Sequence, residues 1–552
     1  MENLQQGIEQ VVRGVFNVTA EVSLTRPDPE FGDFATNIAM QLANQVAKNP
    51  REIAEQLAEA LREELSEIIS EVSVAGPGFI NIRLTDAVLL ERLAKVTDLP
   101  QVLASKVVVT EYSDPNPFKV LHAGHLYTSV VGDAISNLLE SAGASVHRVN
   151  FGGDVGLHVG KTMWAILQDL GGELPEKLDG IATDQHSEWL AKCYISGTNA
   201  YEDDEAAKAD IIALNKRVYQ LHNEDDHESP FAQIYWTTRQ WSYEYFDAFY
   251  DRIGSKFEKY YPESTVADLG LQTVMKHHQK GIFEDSDGAI VFRGEPYGLH
   301  TRVFVNREGL PTYEAKDVGL IMTKSRDYNF DRSVVITGNE QEQYMAVVLK
   351  AIEQFEPELV AATSHITHGL VKLQGGVKMS SRKGNILRAV DVLDAAQEAN
   401  ERGDEPTTLG AVKYAFLKVR TGGDIIYNPE ESVSLEGNSG PYLQYAHARA
   451  RSILAKTDTM ASTVADLDQG ERDLVVKLSE YIDVVAKATE ELLPHLVCTY
   501  LYELAQAFNR FYEKNRVIGD AREAERLYLV QQHADVLSNG LGLLGINAPE
   551  KM

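Results

Sequence analysis

Two histidines stand three positions apart around a glycine in SDPNPFKVLHAGHLYTSVVGD, residues 113 to 133: they are His122 and His125, with Gly124 between them. The spacing fits nucleotide contacts, cap or surface histidines, and two metal ligands on one helical face, and it does not choose among them. The glycine removes a side chain where a nucleotide would approach the backbone. Because no third ligand is evident at a spacing that would complete a metal site, we expect no bound metal.

A basic, serine-containing run, KMSSRKGN, follows roughly 250 residues later at positions 378 to 385. Such a run is usually a solvated surface loop. Its small residues and its three cations within six positions also suit a loop that closes on a polyphosphate and stabilises a leaving pyrophosphate. The surrounding residues 369 to 390 contain no acid, in a chain where acids outnumber bases 82 to 52.

The elements around the histidines predict a parallel sheet. A β-branched run, KVVVTEY, precedes them, and a helical pattern followed by the strand-like SVHRVNF comes after them. Strand, helix and strand in this order form a βαβ unit with a right-handed crossover. The histidines then lie at a strand-to-helix turn, where open parallel sheets bind ligands and a helix amino terminus offers N–H groups to phosphate. This placement favours nucleotide contacts for the pair.

The flanking regions predict two further domains. Residues 1–100 contain two amphipathic helices between Phe34 and Leu65, then VSVAGPGFINIRL with two strands around a Gly-Pro-Gly turn, which predicts a small α+β module. Residues 101–400 form the sheet domain, with a largely helical insertion at about 160–290 and strand character resuming near Val334. In residues 401–552 a helical stripe around HLVCTYLYELAQAFNRFYEKNRV predicts an α-helical bundle.

Composition limits the class of protein. At 552 residues the chain exceeds the size of one hydrophobic core, and no stretch approaches the roughly 18 apolar residues of a membrane span, so we expect a soluble multidomain protein without a membrane partner. The start, MENLQQGIEQ, lacks a signal-peptide pattern, and two cysteines are too few for a disulfide framework, which indicates a cytoplasmic protein. The net charge of -30 argues against nucleic-acid binding through the whole surface and leaves room for local basic faces.

Together and in this order, the two motifs resemble those of a known family. HAGH is similar to the HIGH signature and KMSSR to the KMSKS signature of class I aminoacyl-tRNA synthetases. FGDFATNIAMQLA and GPGFINIRL resemble the N-terminal tRNA-binding module of arginyl-tRNA synthetases, SDPNPFKVLHAGHL their extended HIGH segment, and EGNSGPYLQYAHARARSIL the start of their anticodon-binding domain. The resemblance implies a Rossmann-like parallel-sheet α/β catalytic domain between an N-terminal α+β tRNA-binding module and a C-terminal α-helical anticodon-binding bundle.

The resemblance also implies an activity. The enzyme would activate L-arginine with ATP, accompanied by Mg2+, to arginyl-adenylate and pyrophosphate, and would pass arginine to the 2′-hydroxyl of the terminal adenosine of tRNA-Arg. Activation in this family can wait for bound tRNA. We expect ATP, L-arginine and tRNA-Arg as partners, a monomer, and no tightly bound cofactor.

Site residues follow from the same resemblance. As catalytic residues it implies His122, His125, Lys378, Arg382 and Lys383, and as ATP-binding residues His122, Gly124, His125, Lys378, Met379, Ser380 and Ser381. For arginine, the strand before HAGH and the stretches YPES, YEAKD and GNEQ supply Glu111, Asn116, Glu263, Tyr313, Asp317 and Gln341. For tRNA it implies Tyr442, Tyr445, Arg449 and Arg451, in a stretch from 437 to 457 that lacks acids. The same residues fit helix packing equally well, and for the two tyrosines a core position is the favoured alternative.

Two departures from the family pattern keep other classes of protein open. Ser381 stands where the second signature lysine is usual, and Tyr127 stands where many relatives have arginine. A synthetase-like RNA-binding protein without aminoacylation activity would tolerate both changes. A nucleotidylyltransferase shares the histidine-glycine-histidine turn, but it would not explain the two tRNA-like flanking regions.

Overall fold

The computed structural model describes residues 2–28, 30–374 and 387–552. Six of the residues predicted for the signature loop lie outside the described residues: Lys378, Met379, Ser380, Ser381, Arg382 and Lys383. Within the described part of the chain, no helix is both long and apolar enough to cross a membrane.

The N-terminal module packs helices on a small antiparallel sheet. Its elements are α1 (Glu2–Phe16), β1 (Phe34–Thr36), α2 (Ile38–Val46), α3 (Pro50–Glu64), β2 (Ile69–Ala75), β3 (Phe79–Leu84) and α4 (Asp86–Ala94). The strand order is β1-β3-β2, with both pairs antiparallel. Most of the apolar positions that predicted α2 and α3, among them Leu42, Ile53 and Leu57, are fully buried. The predicted helix pair and strand pair are therefore confirmed, and α1 is an additional helix.

A parallel sheet forms the central domain. The elements in chain order are β4 (Val107–Glu111), α5 (Ala123–Ser141), β5 (Ser145–Gly152), α6 (Leu157–Leu170), α7 (His186–Asp203), α8 (Glu205–Asn223), α9 (Pro230–Ile253), β6 (Lys259–Pro262), α10 (Glu263–His278), β7 (Glu284–Ser286), β8 (Ala289–Phe292), β9 (Arg302–Val305), α11 (Tyr313–Tyr328), β10 (Arg332–Gly338), α12 (Glu342–Glu353), α13 (Pro357–Ala361), β11 (Thr363–His368), β12 (Val371–Leu373) and α14 (Ala389–Ala399). The described strands of the sheet run β11-β10-β4-β5-β6, and every pairing is parallel. The predicted βαβ unit is confirmed as β4-α5-β5.

The sheet is interrupted for a shorter distance than the sequence predicts. Helices α6 to α9 form the expected helical insertion, but β6 pairs with β5 from Val149 to Gly152 and returns the chain to the sheet well before Val334. This strand is only four residues long and ends in Pro262, so it carries no clear period-two pattern. Because parallel strands share one direction, the carboxyl ends of β4, β5, β6 and β10 meet at the same edge.

The C-terminal domain is a helical bundle, as predicted. Its elements are α15 (Glu405–Leu417), β13 (Ile425–Tyr427), α16 (Pro429–Ser432), α17 (Gly440–Leu454), α18 (Gln469–Ser479), α19 (Tyr481–Glu491), α20 (His495–Lys514) and α21 (Glu523–Leu543). Strand β13 pairs in parallel with β12 of the central domain. The N-terminal module is held on this bundle by Arg472, whose Nη1 and Nη2 donate to the two carboxylate oxygens of Asp33 at 3.1 and 2.9 Å.

Candidate active site

The HAGH turn begins helix α5, and its own hydrogen bonds determine which nitrogen of each histidine carries the proton. His122 is the N-cap residue, and its Nδ1 accepts the N–H of Gly124 at 3.1 Å. His125 Nδ1 accepts the N–H of His122 at 3.0 Å. Because a neutral imidazole has one N–H, both rings then carry their proton on Nε2. Desolvation lowers the pKa of His122 and lowers that of His125 further, so two neutral N–H donors are presented.

Gly124 is required by the first of these histidines. A Cβ at this position would lie 2.8 Å from both Cε1 and Nδ1 of the His122 ring. The ring folds back over the helix end and occupies the space that a side chain at 124 would need. The structure thus adds a reason for this glycine beyond the expected approach of a nucleotide.

The chain that follows the signature loop runs directly beside the HAGH turn. Ala123 N–H donates to the carbonyl of Leu387 at 2.8 Å, and Ala389 N–H donates to the carbonyl of Leu121 at 2.9 Å. His122 and Arg388 form an antiparallel β-bridge. Residues 387–389, just after positions 375–386, are therefore paired with residues 121–123 at the start of the HAGH turn.

A cavity of about 730 Å³ opens at the carboxyl end of β4 and β10, beside the HAGH turn. Nine of the predicted site residues line it: Glu111, Asn116, His122, Gly124, His125, Glu263, Tyr313, Asp317 and Gln341. These residues come from separate parts of the sequence. Tyr313 and Gln341 are exposed, at the start of α11 and just before α12 respectively.

One wall of the cavity is strongly acidic. Glu111, the last residue of β4, accepts a hydrogen bond from Lys324 Nζ, and Lys324 is fully buried. Asp317 accepts a hydrogen bond from the hydroxyl of Tyr344, and Asp114 accepts the N–H of Phe151 at 2.8 Å. Burial raises the pKa of Asp317 to about 8, and burial followed by the charge of Glu111 raises the pKa of Asp114.

A second wall is polar and internally neutralised. Glu263 Oε2 accepts from Lys316 Nζ at 2.6 Å, and both side chains are buried. Asn116 Oδ1 accepts the N–H of Gly153 at 2.7 Å. A Cβ at position 153 would lie 2.6 Å from Asn116 Oδ1 and 3.0 Å from Glu263 Oε1, so glycine is what lets β5 end against these two side chains.

Several residues that line the cavity or pair with its lining were missed at the level of sequence. Asp114, Lys316 and Glu340 lie inside the quoted stretches SDPNP, YEAKD and GNEQ, but in a chain with 82 acids nothing local singles them out. Lys324 lies outside every motif, and its importance depends on burial against Glu111. Proximity to a motif was the one signal that could have identified the first three.

Tyr127, the departure after HAGH, packs in the core. It is fully buried, its ring centroid lies 4.4 Å from that of His368 and 5.4 Å from that of Phe416, and its hydroxyl has no hydrogen-bond partner among the described residues. His368 lines the cavity, with Nε2 2.6 Å from the Thr128 hydroxyl. Tyr127 therefore supports the cavity wall from behind.

The predicted tRNA-binding residues of α17 have different environments. Tyr445 is 42% exposed, whereas Tyr442 is half-buried and its hydroxyl accepts from Asn509 Nδ2 at 3.0 Å. Arg449 stacks over Tyr512 at 5.0 Å. Arg451 pairs with Asp535 at 3.1 Å and Glu550 at 3.5 Å, so its charge is balanced inside the bundle.

Comparison with known proteins covers nearly the whole chain. Family models match for the catalytic domain of class I (R) tRNA synthetases at residues 88–407, the arginyl-tRNA synthetase N-terminal domain at 2–84 and the DALR anticodon-binding domain at 443–552. The arginine–tRNA ligase of Porphyromonas gingivalis is 30% identical over 520 residues, which cover 86% of each chain. That of Bdellovibrio bacteriovorus is 30% identical over 511 residues, covering 87% of each.

Solved structures agree with the sequence relatives. The arginyl-tRNA synthetase of Thermus thermophilus has a TM-score of 0.81 at 25% identity, with 100% of both chains covered. That of Plasmodium falciparum has a TM-score of 0.82 over 100% of this chain and 99% of its own, and at 20% identity it supports the fold alone. The chain belongs to the arginyl-tRNA synthetase family of class I, whose members attach arginine to tRNA-Arg.

Proposed function

We propose that this chain is an active arginine–tRNA ligase that forms arginyl-adenylate from L-arginine and ATP and then charges tRNA-Arg. One observation carries the proposal: a single cavity joins two neutral histidine N–H donors to a wall of carboxylates that lacks enough internal cations. The histidines suit phosphate oxygens, and the acidic wall suits a guanidinium. Mg2+ accompanies ATP as part of the substrate.

In the first step an α-carboxylate oxygen of arginine attacks the α-phosphorus of ATP. The bond to the bridging oxygen of the β-phosphate breaks, and pyrophosphate leaves with that electron pair. No protein base is needed, because the nucleophile is already ionised, so catalysis consists of positioning and charge stabilisation. His122 and His125 donate from Nε2 to the phosphate oxygens on which charge develops. Lys378, Arg382 and Lys383 are proposed to stabilise the β- and γ-phosphates. Arg388, five positions after Lys383, forms a β-bridge with His122, which supports a location of these cations near the histidines.

Arginine is assigned to the part of the cavity that is not taken by ATP beside the HAGH turn. Glu111 and Asp317 are assigned to its guanidinium, because the guanidinium offers five donors in one plane and binds carboxylates in pairs. Asn116, Glu263, Tyr313 and Gln341 are assigned to the α-amino and carboxylate end, where Lys316 already neutralises Glu263. The reacting carboxylate then faces the HAGH turn.

In the second step the 2′-hydroxyl of the terminal adenosine of tRNA attacks the carbonyl carbon of the adenylate, and AMP leaves. We assign anticodon recognition to residues 401–552, with Tyr442, Tyr445, Arg449 and Arg451 on α17, and further tRNA contacts to the module of residues 1–100. The central unit, residues 101–400 with its helical insertion, is the catalytic domain. The exposed ring of Tyr445 is the best placed of the four for stacking on an unpaired base.

We further propose that the protein is a cytoplasmic monomer. The large negative charge supports this assignment, because like-charged copies repel one another in solution. Light scattering after size-exclusion chromatography gives the molar mass, and a value near 61.3 kDa is expected. A mass of twice that value would exclude a monomer.

The deciding experiment is aminoacylation of total tRNA with each amino acid in turn. Charging by arginine alone is expected, with arginine-dependent ATP–pyrophosphate exchange in the presence of tRNA. Charging by another amino acid would exclude arginine specificity. Tight tRNA binding without adenylate formation would instead identify an inactive synthetase-like protein, and exchange driven by a sugar phosphate would identify a nucleotidylyltransferase.

A further inference from the structure

Asp114 is a third carboxylate on the acidic wall, and neither the sequence motifs nor the proposed arginine contacts account for it. It follows β4 in the loop SDPNPF, and it lines the cavity together with Glu111 and Asp317. Its Oδ1 accepts the N–H of Phe151 at 2.8 Å, which ties the side chain to β5. Oδ2 has no hydrogen-bond partner among the residues described in the structure.

The backbone of this loop is held in an uncommon conformation. Ser113 and Asp114 are consecutive non-glycine residues with φ of +74° and +50°. Such conformations are sparsely populated and persist only where the surroundings maintain them, most often at binding and catalytic sites. Ser113 is fixed by a 2.7 Å hydrogen bond to the hydroxyl of Tyr250. The loop therefore holds the Asp114 carboxylate at the cavity against a conformational cost.

In the described part of the chain, the carboxyls on this wall outnumber its cations. Glu111, Asp114 and Asp317 face the same space, and among the described residues Lys324 is the ammonium that contacts one of them. Two other basic groups at the cavity are already paired: Lys316 with Glu263 at 2.6 Å, and Arg302 with Glu314 at 3.3 Å. Carboxyls that face one space with a single cation among them suit a cationic ligand with more than one donor, because its binding favours their ionised forms.

The two walls of the cavity distinguish the two ends of an arginine substrate. Asn116 and the Glu263–Lys316 pair form a wall that is neutral overall and suits the α-ammonium and α-carboxylate. In the part of the chain that the structure describes, the wall with Asp114 has three carboxyls and one contacting ammonium, that of Lys324. The guanidinium of arginine is a planar fork of five N–H donors and can reach several carboxylates at once. The ammonium of lysine is a point charge with three donors, and the urea group of citrulline is neutral.

We propose that Asp114 binds the substrate guanidinium together with Glu111 and Asp317, and that it is a determinant of specificity for arginine over lysine and citrulline. The inference rests on the proposed function. Asp114 supplies through Oδ2 a charge-assisted hydrogen bond that a neutral residue at this position cannot supply. Bound lysine would leave some of the three carboxylates without a hydrogen-bonded cation, and bound citrulline would bring no positive charge to any of them.

Asp114→Asn is the sharpest test, because an amide oxygen can still accept the Phe151 N–H while the charge is removed. In ATP–pyrophosphate exchange with saturating tRNA, the arginine KM is expected to rise about tenfold or more, the loss for one charge-assisted hydrogen bond. The ATP KM and kcat are expected to stay within about twofold, since Asp114 is assigned to the guanidinium and not to ATP. Citrulline, used as an inhibitor, is expected to bind the variant relatively better.

Asp331→Asn is the matched control. Asp331 also accepts a backbone N–H from a neighbouring strand, that of Val107 at 2.8 Å, but it precedes β10 at the opposite end of the sheet. The Asp331→Asn variant should leave the arginine KM unchanged.

An unchanged arginine KM in Asp114→Asn would overturn the inference, and so would a parallel loss of ATP binding. If Asp114→Asn fails to fold, Asp114→Ser provides a smaller neutral acceptor for the same measurement. If the unmodified protein shows no arginine-dependent exchange, the proposed function itself fails.

Discussion

His125 Nδ1 accepts the backbone N–H of His122 at 3.0 Å, and the two rings stack with centroids 3.8 Å apart. The same contact caps the helix and directs the His125 Nε2–H away from the backbone. Structural and chemical roles therefore use different nitrogens of one ring. A substitution that keeps an acceptor for the His122 N–H and removes the Nε2 donor can separate the structural role from the chemical role.

His125→Asn is expected to do so, since its amide oxygen can accept the His122 N–H, whereas the shorter side chain places no donor at the position of Nε2. We expect kcat for adenylate formation to fall about 100-fold, as for loss of one donor to a developing oxyanion, with an unchanged melting temperature. Exchange kinetics and thermal unfolding measure the two effects. Full activity in this variant would mean that the donor is dispensable.

Gly124→Ala is expected to displace the His122 ring, because the new Cβ would lie 2.8 Å from it. His122 is exposed, so its ring can move aside without overpacking a core, and the main expected effect is misplacement of the Nε2 donor and a fall in kcat. Gly14→Ala in α1 is the control, since nothing lies within 4 Å of its Cβ position. Equal effects of the two substitutions would contradict the role given to Gly124.

Arginine binding is expected to strengthen with rising pH. Burial raises the pKa of Asp317 to about 8, so at pH 7 the unliganded carboxyl is mostly protonated, and binding a cation favours its ionised form with release of a proton. The arginine KM should therefore fall as pH rises from 7 towards 9 and level off above the pKa. Exchange rates at a series of pH values provide the measurement.

Tyr344→Phe serves as the comparison for this pH profile. The Tyr344 hydroxyl donates to Asp317 and thereby lowers its pKa, so its removal should move the pH dependence of the arginine KM to higher pH. A shift to lower pH, or an arginine KM that does not depend on pH, would be inconsistent with an ionising Asp317.

Lys324→Met is expected to destabilise the fold, since Lys324 is fully buried against Glu111 and its loss leaves an uncompensated carboxylate. Breaking a buried pair in this way costs about 3–5 kcal/mol in the free energy of unfolding. Adding Glu111→Gln should restore much of that free energy in chemical denaturation but not arginine activation. Full restoration of activity in the double variant would argue against Glu111 as an arginine contact.

Tyr445→Ala is expected to weaken tRNA binding without changing the melting temperature, because its ring is 42% exposed. Loss of one base-stacking contact is worth about 1–3 kcal/mol, which corresponds to a rise of about fivefold to 150-fold in the tRNA KM for aminoacylation. Met460→Ala, at an 85% exposed position of the same domain, should have no effect. An unchanged tRNA KM in Tyr445→Ala would remove this residue from the tRNA-binding surface.

Much of the fold followed from local patterns. The βαβ unit, the strand pair around the Gly-Pro-Gly turn and the C-terminal bundle are set by apolar periodicity and turn residues within short windows, and those predictions are confirmed. Strand β6 was missed because four residues that end in a proline carry almost no periodic signal. Helix α1 was not predicted either, although it extends over 15 residues.

By itself the sequence determined the three-part architecture, the order of the two signature motifs and the family, because motif spacing is a property of the chain. Only the tertiary structure decided which carboxylates are paired with a lysine inside the protein and which remain available to a ligand. Lys324 neutralises Glu111 from 213 positions away, Lys316 neutralises Glu263, and Asp114 is left without a cation. Such pairings are made by packing between distant elements in a medium where each unpaired charge is costly, so no local spacing encodes them.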